Sequence, residues 1–181
     1  SLLLYWGFSW EADEDEFFVG KRELLTAGNI PKPIQTGFEM MALLKENRLK
    51  VIKAKKDSRF GLIATKSEKE TVLLTYNYEE SESEKISGND KIKIELNGLK
   101  KSASYQIKTI ILDNKNNNTF QKWIEMGSPK NSKSIDLSPL KKAGNLTFNK
   151  IVNLESDNKG QISFDLPIQR RSAQLMIIKL N

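Results

Sequence analysis

Residues 91–101 read KIKIELNGLKK. Ile92, Ile94 and Leu96 fall on one side of an extended chain, and Lys91, Lys93 and Glu95 on the other. A period of two, with one apolar and one charged face, marks a half-buried strand. The reading extends outward in both directions. RLKVIKAK (48–55), RFGLIAT (59–65), TVLLTYNY (71–78), YQIKTIIL (105–112), QISFDL (161–166) and AQLMIIKL (173–180) also read as strands. Turn-forming clusters such as KKDS, SGND and SDNKG separate them. Seven short strands with polar connections predict an antiparallel β-sandwich over 47–181. ESESEKISGND (80–90) reads as a polar loop or hairpin tip.

Two pieces of that region break the pattern. NTFQKWIEMG (118–127) predicts a short helix ended by Gly127. SPLKKAG (138–144) predicts another, with Ser138 as N-cap, Pro139 at the first position and Gly144 as terminator.

Upstream, the order changes to strand, acidic loop, helix. LLLYWGF (2–8) is continuously apolar, as in a strand buried on both faces, although a core helix segment fits the same run. WEADEDEFF follows, with five acidic residues between Glu11 and Glu16. GNIPKPIQTGFEMMALLKEN (28–47) holds a helix. Pro33 suits its first turn, and Ile34, Phe38, Met41 and Ala42 form its apolar stripe, with Leu44 at the edge. This is the order of one α/β unit.

Composition narrows the chemistry. The 181 residues contain no Cys and no His, which removes thiolate nucleophiles, imidazole bases and Cys- or His-ligated metal sites. Catalysis would rest on carboxylates, Lys or Tyr. The net charge of +6 comes from lysines scattered singly among apolar residues, which suits solvated strand faces better than a nucleic-acid surface. No apolar run approaches the roughly 18–20 residues that span a bilayer, so neither a membrane nor a nucleic acid is expected as partner. The compartment, cytoplasmic or secreted, stays undetermined.

Taken by itself, the acidic block is a solvated loop or a pair of catalytic carboxylates, which glycoside hydrolysis holds roughly 5–10 Å apart. Tyr5, Trp6, Phe8 and Trp10 are core residues or a sugar platform. Core packing is favoured for Tyr5 and Phe8, and Trp6, next to Gly7, stays open. Trp123 reads as a plug between its helix and the sandwich. No Gly-containing loop carries a phosphate-binding pattern.

FFVGKRELLTAGNIPKPIQTGFEMMALL (17–44) resembles the end of the catalytic barrel in family 39 glycoside hydrolases, the β-xylosidase and α-L-iduronidase group. The shared frame is Phe18, Gly20, Arg22, Leu24, Thr26, Gly28, Ile30, Lys32 and Pro33. LYWGFSW resembles that family's last barrel strand. Far downstream, LDNKNNNTFQKWIEMGSP (112–129) resembles a second family segment, with Asp113, Asn118, Phe120, Trp123, Met126, Gly127 and Pro129 in register. The SPLKKAGNL that follows resembles the family's next short helix.

The resemblance implies a (β/α)8 barrel followed by a β-sandwich. On that footing residues 1–46 are the last strand, acidic βα loop and last helix of a truncated barrel, and 47–181 are the C-terminal sandwich. The parent implied is a retaining glycosidase, β-xylosidase-like, whose acid/base and nucleophile glutamates lie upstream of Ser1. The chain alone is then expected to be inactive, with no cofactor and no metal, and its missing partner is the N-terminal barrel. In that parent Trp6, Asp13 and Glu14 would line the subsite for the non-reducing sugar. Asp13 stands where the family has Glu, Trp10 where it has Asp, and Asn116 where it often has His. Residues 1–10, uncovered, are expected to drive homo-oligomers. The alternatives are a stand-alone carbohydrate-binding β-sandwich and a structural interaction module that meets an acidic partner.

Overall fold

The computed structural model describes residues 17–18, 23–53, 57, 59–78 and 88–181. The chain is mainly β, and among the described residues every strand pairing is antiparallel. Its contacts divide it into two units: the residues up to Glu39 with Asn114–Thr147, and Met40–Asp113 with Phe148–Asn181.

The second unit is the sandwich. Its larger sheet runs β3 (Asn47–Arg48), β4 (Phe60–Lys66), β5 (Thr71–Asn77), β10 (Ser172–Leu180), β7 (Ser104–Leu112) and β8 (Lys150–Glu155), in that spatial order. The facing sheet is the pair β6 (Asn89–Leu96) and β9 (Ile162–Gln169). Alternation decides what meets between them. Leu73, Tyr105, Ile107, Met176 and Ile178 point in from the larger sheet, and Ile94, Ile162 and Leu166 from the pair. Each fully buried aliphatic side chain of this kind contributes about 1.5–3 kcal/mol.

One end of this interior is polar and hydrogen-bonded. Gln174 Nε2 donates to the Pro167 carbonyl at 2.8 Å, and Asn77 Nδ2 donates to Asp90 Oδ2 at 2.9 Å. These bonds from buried amides tie the two sheets together in register.

The expected strand over 48–55 is much shorter. Among the described residues of that stretch only Asn47–Arg48 joins the sheet, opposite Lys66 and Thr65. Leu49 adds one bond to the Ala64 carbonyl, and Leu49 and Val51 then turn their side chains into the core while Ile52 stays exposed. Lys150–Glu155 is a strand that the sequence reading passed over. Residues 79–87 of the expected polar loop lie outside the described residues, and Asn89 and Asp90 at its end already belong to β6.

The first unit holds the hairpin β1 (Leu25–Thr26) and β2 (Ile30–Pro31), most of helix α1 (Pro33–Ala42), and the short helices α2 (Thr119–Glu125) and α3 (Ser138–Ala143). Helix α1 begins at Pro33 as expected, but its buried face is different. Thr36 and Met40, one turn apart, are buried, while Ile34 and Met41 of the expected stripe are exposed. Thr36 takes the inner position because its hydroxyl donates to the Asn117 carbonyl. Helix α3 has Leu137 at its N-cap, not Ser138, and the Ser138 amide instead donates to Asp136 Oδ1 at 2.9 Å.

Candidate functional site

The residues that carry the sugar-subsite reading, Trp6, Asp13 and Glu14, lie outside the described residues, as do the rest of 1–16 and Gly20 and Arg22 of the shared frame. What the structure describes is the frame that follows them. Phe17 comes directly after Glu16, the last acid of the block. It is buried in a cluster with Ile30 and Leu140. Phe18 holds a left-handed φ of 36°, and its amide donates to Thr26 Oγ1 at 3.1 Å. Its ring lies 5.3 Å from Phe120 and 5.4 Å from Trp123. The chain just past the acidic block is therefore anchored on both sides of one peptide.

Each described residue of the first motif has a local reason. The turn between β1 and β2 puts Gly28 at φ 69° and Asn29 at φ 58°. A Cβ on Gly28 would sit 2.5 Å from Leu137 Cδ1, so conformation and space both select glycine there. Ile30 is fully buried. Lys32 Nζ meets Glu23 at 3.0 Å, and both side chains are more than nine-tenths buried. Such a pair is costly to break on one side only.

The second motif builds α2 and its ends. Asn118 caps the helix, its side chain accepting from the Gln121 amide. At the other end Gly127 takes φ 84°, its amide bonding to Ile124 and that of Ser128 to Trp123. That pair of bonds is a Schellman motif, which closes the last carbonyls of the helix. Trp123 Nε1 donates to the Pro129 carbonyl at 2.9 Å, and its ring stacks on Phe120.

The two motifs, some eighty residues apart, fold together. Thr119 Oγ1 donates to the Pro31 carbonyl, Thr36 Oγ1 to the Asn117 carbonyl, and Leu140 joins Phe17 and Ile30. The helices expected near 118–127 and 138–144 as parts of the 47–181 domain thus group with the residues before Glu39. The described ring contacts of Trp123 are with Phe18 and Phe120 of this unit.

Beside α2 lies a polar recess of about 160 Å³, lined by Asn117, Asn118, Gln121, Lys115, Lys142 and Thr147 among others. Asn117 is held there at φ 49°, its Oδ1 accepting from the Thr147 amide and hydroxyl, each at 2.9 Å.

Four of the described carboxylates are tuned away from acid catalysis. A general acid needs its pKa raised toward neutrality. Asp57, Glu70, Asp90 and Asp136 are all shifted the other way. Asp90 is held low first by the hydrogen bond from Asn77, then by Arg170 and Arg59. Hydrogen bonds from Lys179 and then Lys45 lower Glu70. Among the described residues no cluster of three acidic ligands that could hold a metal ion is found, and no helix is long and apolar enough to cross a membrane.

Of the strand tyrosines, Tyr105 is core, its hydroxyl accepting from the Lys100 amide at 2.9 Å. Tyr76 and Tyr78 are exposed.

Known proteins agree with this frame. Glycosyl hydrolases family 39 matches residues 8–155. The chain is 30% identical over 162 residues to a beta-xylosidase of Caldicellulosiruptor saccharolyticus, covering 90% of this chain and 32% of that protein. Among solved structures it is similar to a monomeric beta-xylosidase from Caulobacter crescentus CB15, with a TM-score of 0.71 at 16% identity, over 88% of this chain and 33% of that one. The GH39 enzyme from Xanthomonas axonopodis pv. citri gives a TM-score of 0.70 at 14% identity, over 88% and 32%. At such identities the structures show a shared fold. The chain spans about a third of the length of these relatives.

Proposed function

The chain belongs to glycosyl hydrolases family 39, and from that premise we propose that it is the C-terminal part of a retaining, β-xylosidase-like glycosidase. The acid/base and nucleophile glutamates then lie in a barrel encoded upstream of Ser1. Residues 1–46 are that barrel's last strand, acidic loop and helix. Trp6 walls or stacks on the non-reducing sugar, and Asp13 and Glu14 accept hydrogen bonds from its hydroxyls. The sandwich is accessory, and the 181-residue chain alone is inactive, because it lacks both groups that the reaction needs.

The observation that carries this reading is the joint fold of the two family motifs. Phe18 of the first meets Phe120 and Trp123 of the second directly after the acidic block. Such an anchor sets one end of a loop that, in a barrel, belongs at the sugar-binding face. Ile34 and Met41 leave apolar surface on α1 that a barrel neighbour would cover.

The test is a longer protein, expressed from the reading frame upstream of Ser1 and assayed on 4-nitrophenyl β-D-xyloside, arabinoside and glucoside. Trp6→Ala and Glu14→Gln are expected to reduce kcat/KM at least tenfold while the fold is kept. Full activity in both variants would remove these residues from the subsite.

A further inference from the structure

Tyr76, Gly61, Ala173 and Leu112 are direct partners across four adjacent strands, so their side positions share one face of the larger sheet. This is the face opposite the sandwich core. Two residues along, Leu74, Leu175 and Ile110 on the same face are all buried. At the Tyr76 rung the face opens: Tyr76 is 42% exposed and Tyr78 59%. Tyr76 does not stand free. A Cβ on Gly61 would lie 1.9–2.3 Å from its Cζ, Cε1 and hydroxyl, so the ring reaches across and rests on the glycine backbone. The small Ala173 on its other side leaves a trough bounded by Leu112, Tyr78 and, at the rim, Arg171. The trough holds about 460 Å³.

We infer that this trough is a binding site for a neutral oligosaccharide, separate from the subsite assigned to Trp6, Asp13 and Glu14. A sugar ring has an apolar C–H face and an equatorial rim of hydroxyls. Aromatic side chains with polar tips offer the matching pair of surfaces. Among the described residues no carboxylate lines the trough, which favours a neutral chain over a cationic ligand. Its size falls within the roughly 300–1,000 Å³ of small-ligand sites. The choice of xylose as the sugar rests on the family reading above; the trough itself does not.

Calorimetric titration of the 181-residue chain with xylohexaose, and separately with cellohexaose, tests this. A shallow trough leaves one side of the ligand in water, so Kd is expected on the order of 1 mM. Tyr78→Ala is expected to weaken binding at least tenfold with an unchanged melting curve, since that ring is mostly in solvent. Tyr78→Phe keeps the ring and retains binding within about threefold. Binding of cellohexaose alone supports the trough while counting against the xylose assignment. No saturable heat with either sugar, or equal binding by Tyr78→Ala, overturns the proposal and leaves the glycosidase reading untouched.

Discussion

Trp123 couples the two family motifs through one side chain. Its indole hydrogen-bonds to Pro129 and packs against Phe18 and Phe120. Trp123→Ala is expected to lower stability in urea by about 3 kcal/mol, and Trp123→Phe, which loses mainly the hydrogen bond, by about 1 kcal/mol. Lys32→Met leaves Glu23 buried opposite a thioether, and is expected to cost roughly 3–5 kcal/mol by the same measurement. At Gly160 the backbone has φ 76°, and a Cβ would meet the Leu99 carbonyl oxygen at 2.2 Å. Gly160→Ala is therefore expected to destabilise the fold by about 1–3 kcal/mol. Single residues were legible where the local chain sets their geometry. Gly127 read as a helix terminator and takes the left-handed turn that this requires. Gly144 read the same way and does cap the C-terminus of α3, but at φ −81° rather than in a left-handed turn. It is glycine because a Cβ would press on Pro31 at 3.0 Å, a neighbour that no local pattern reveals.

At the level of elements, apolar runs bounded by turn residues located the strands, both where one face is core and the other solvent and where both faces are buried, as in β5 and β10. Residues 91–96 are the plainest case, and β4, β5, β7 and β10 follow it within a residue or two. β9 runs on to Gln169 through Pro167, where the sequence suggested a stop. Pro is tolerated because β9 pairs only with β6, leaving an unladdered edge on its other side. In the stretch from Leu49 to Lys53 the opposite error arose. Its alternation is real, but its apolar residues serve the core from an irregular segment. Ion pairs tie such pieces down. Glu70 binds Lys179 at 2.8 Å and also Lys45, joining the turn before β5 to the end of β10. Its folded pKa lies below the ordinary 4.5, so the unfolded chain binds the proton more readily in acid. The stability from these pairs is present at neutral pH and is lost as pH falls below about 4.5 toward the lowered folded value. Thermal midpoints are expected to fall more steeply between about pH 5 and about pH 3 in the native chain than in Glu70→Gln.

For the whole molecule, the sandwich was readable because its strands declare themselves one by one. The first unit was not, because its parts are separated by the length of five strands and meet through contacts such as Phe18 with Trp123 and Thr119 with Pro31. Resemblance located both motifs, but not their association. Trp6, Asp13 and Glu14, proposed here to line the sugar subsite, lie outside the described residues, and the proposal draws on the family frame and on the anchored peptide at Phe17 and Phe18. Hydrolysis of 4-nitrophenyl β-D-xyloside, compared between the 181-residue chain and the same chain joined to its upstream reading frame, bears directly on the division of labour proposed here. Release of nitrophenol is expected from the longer protein alone, with none above background from the 181 residues. Turnover by the short chain, or an inert longer protein, would contradict it.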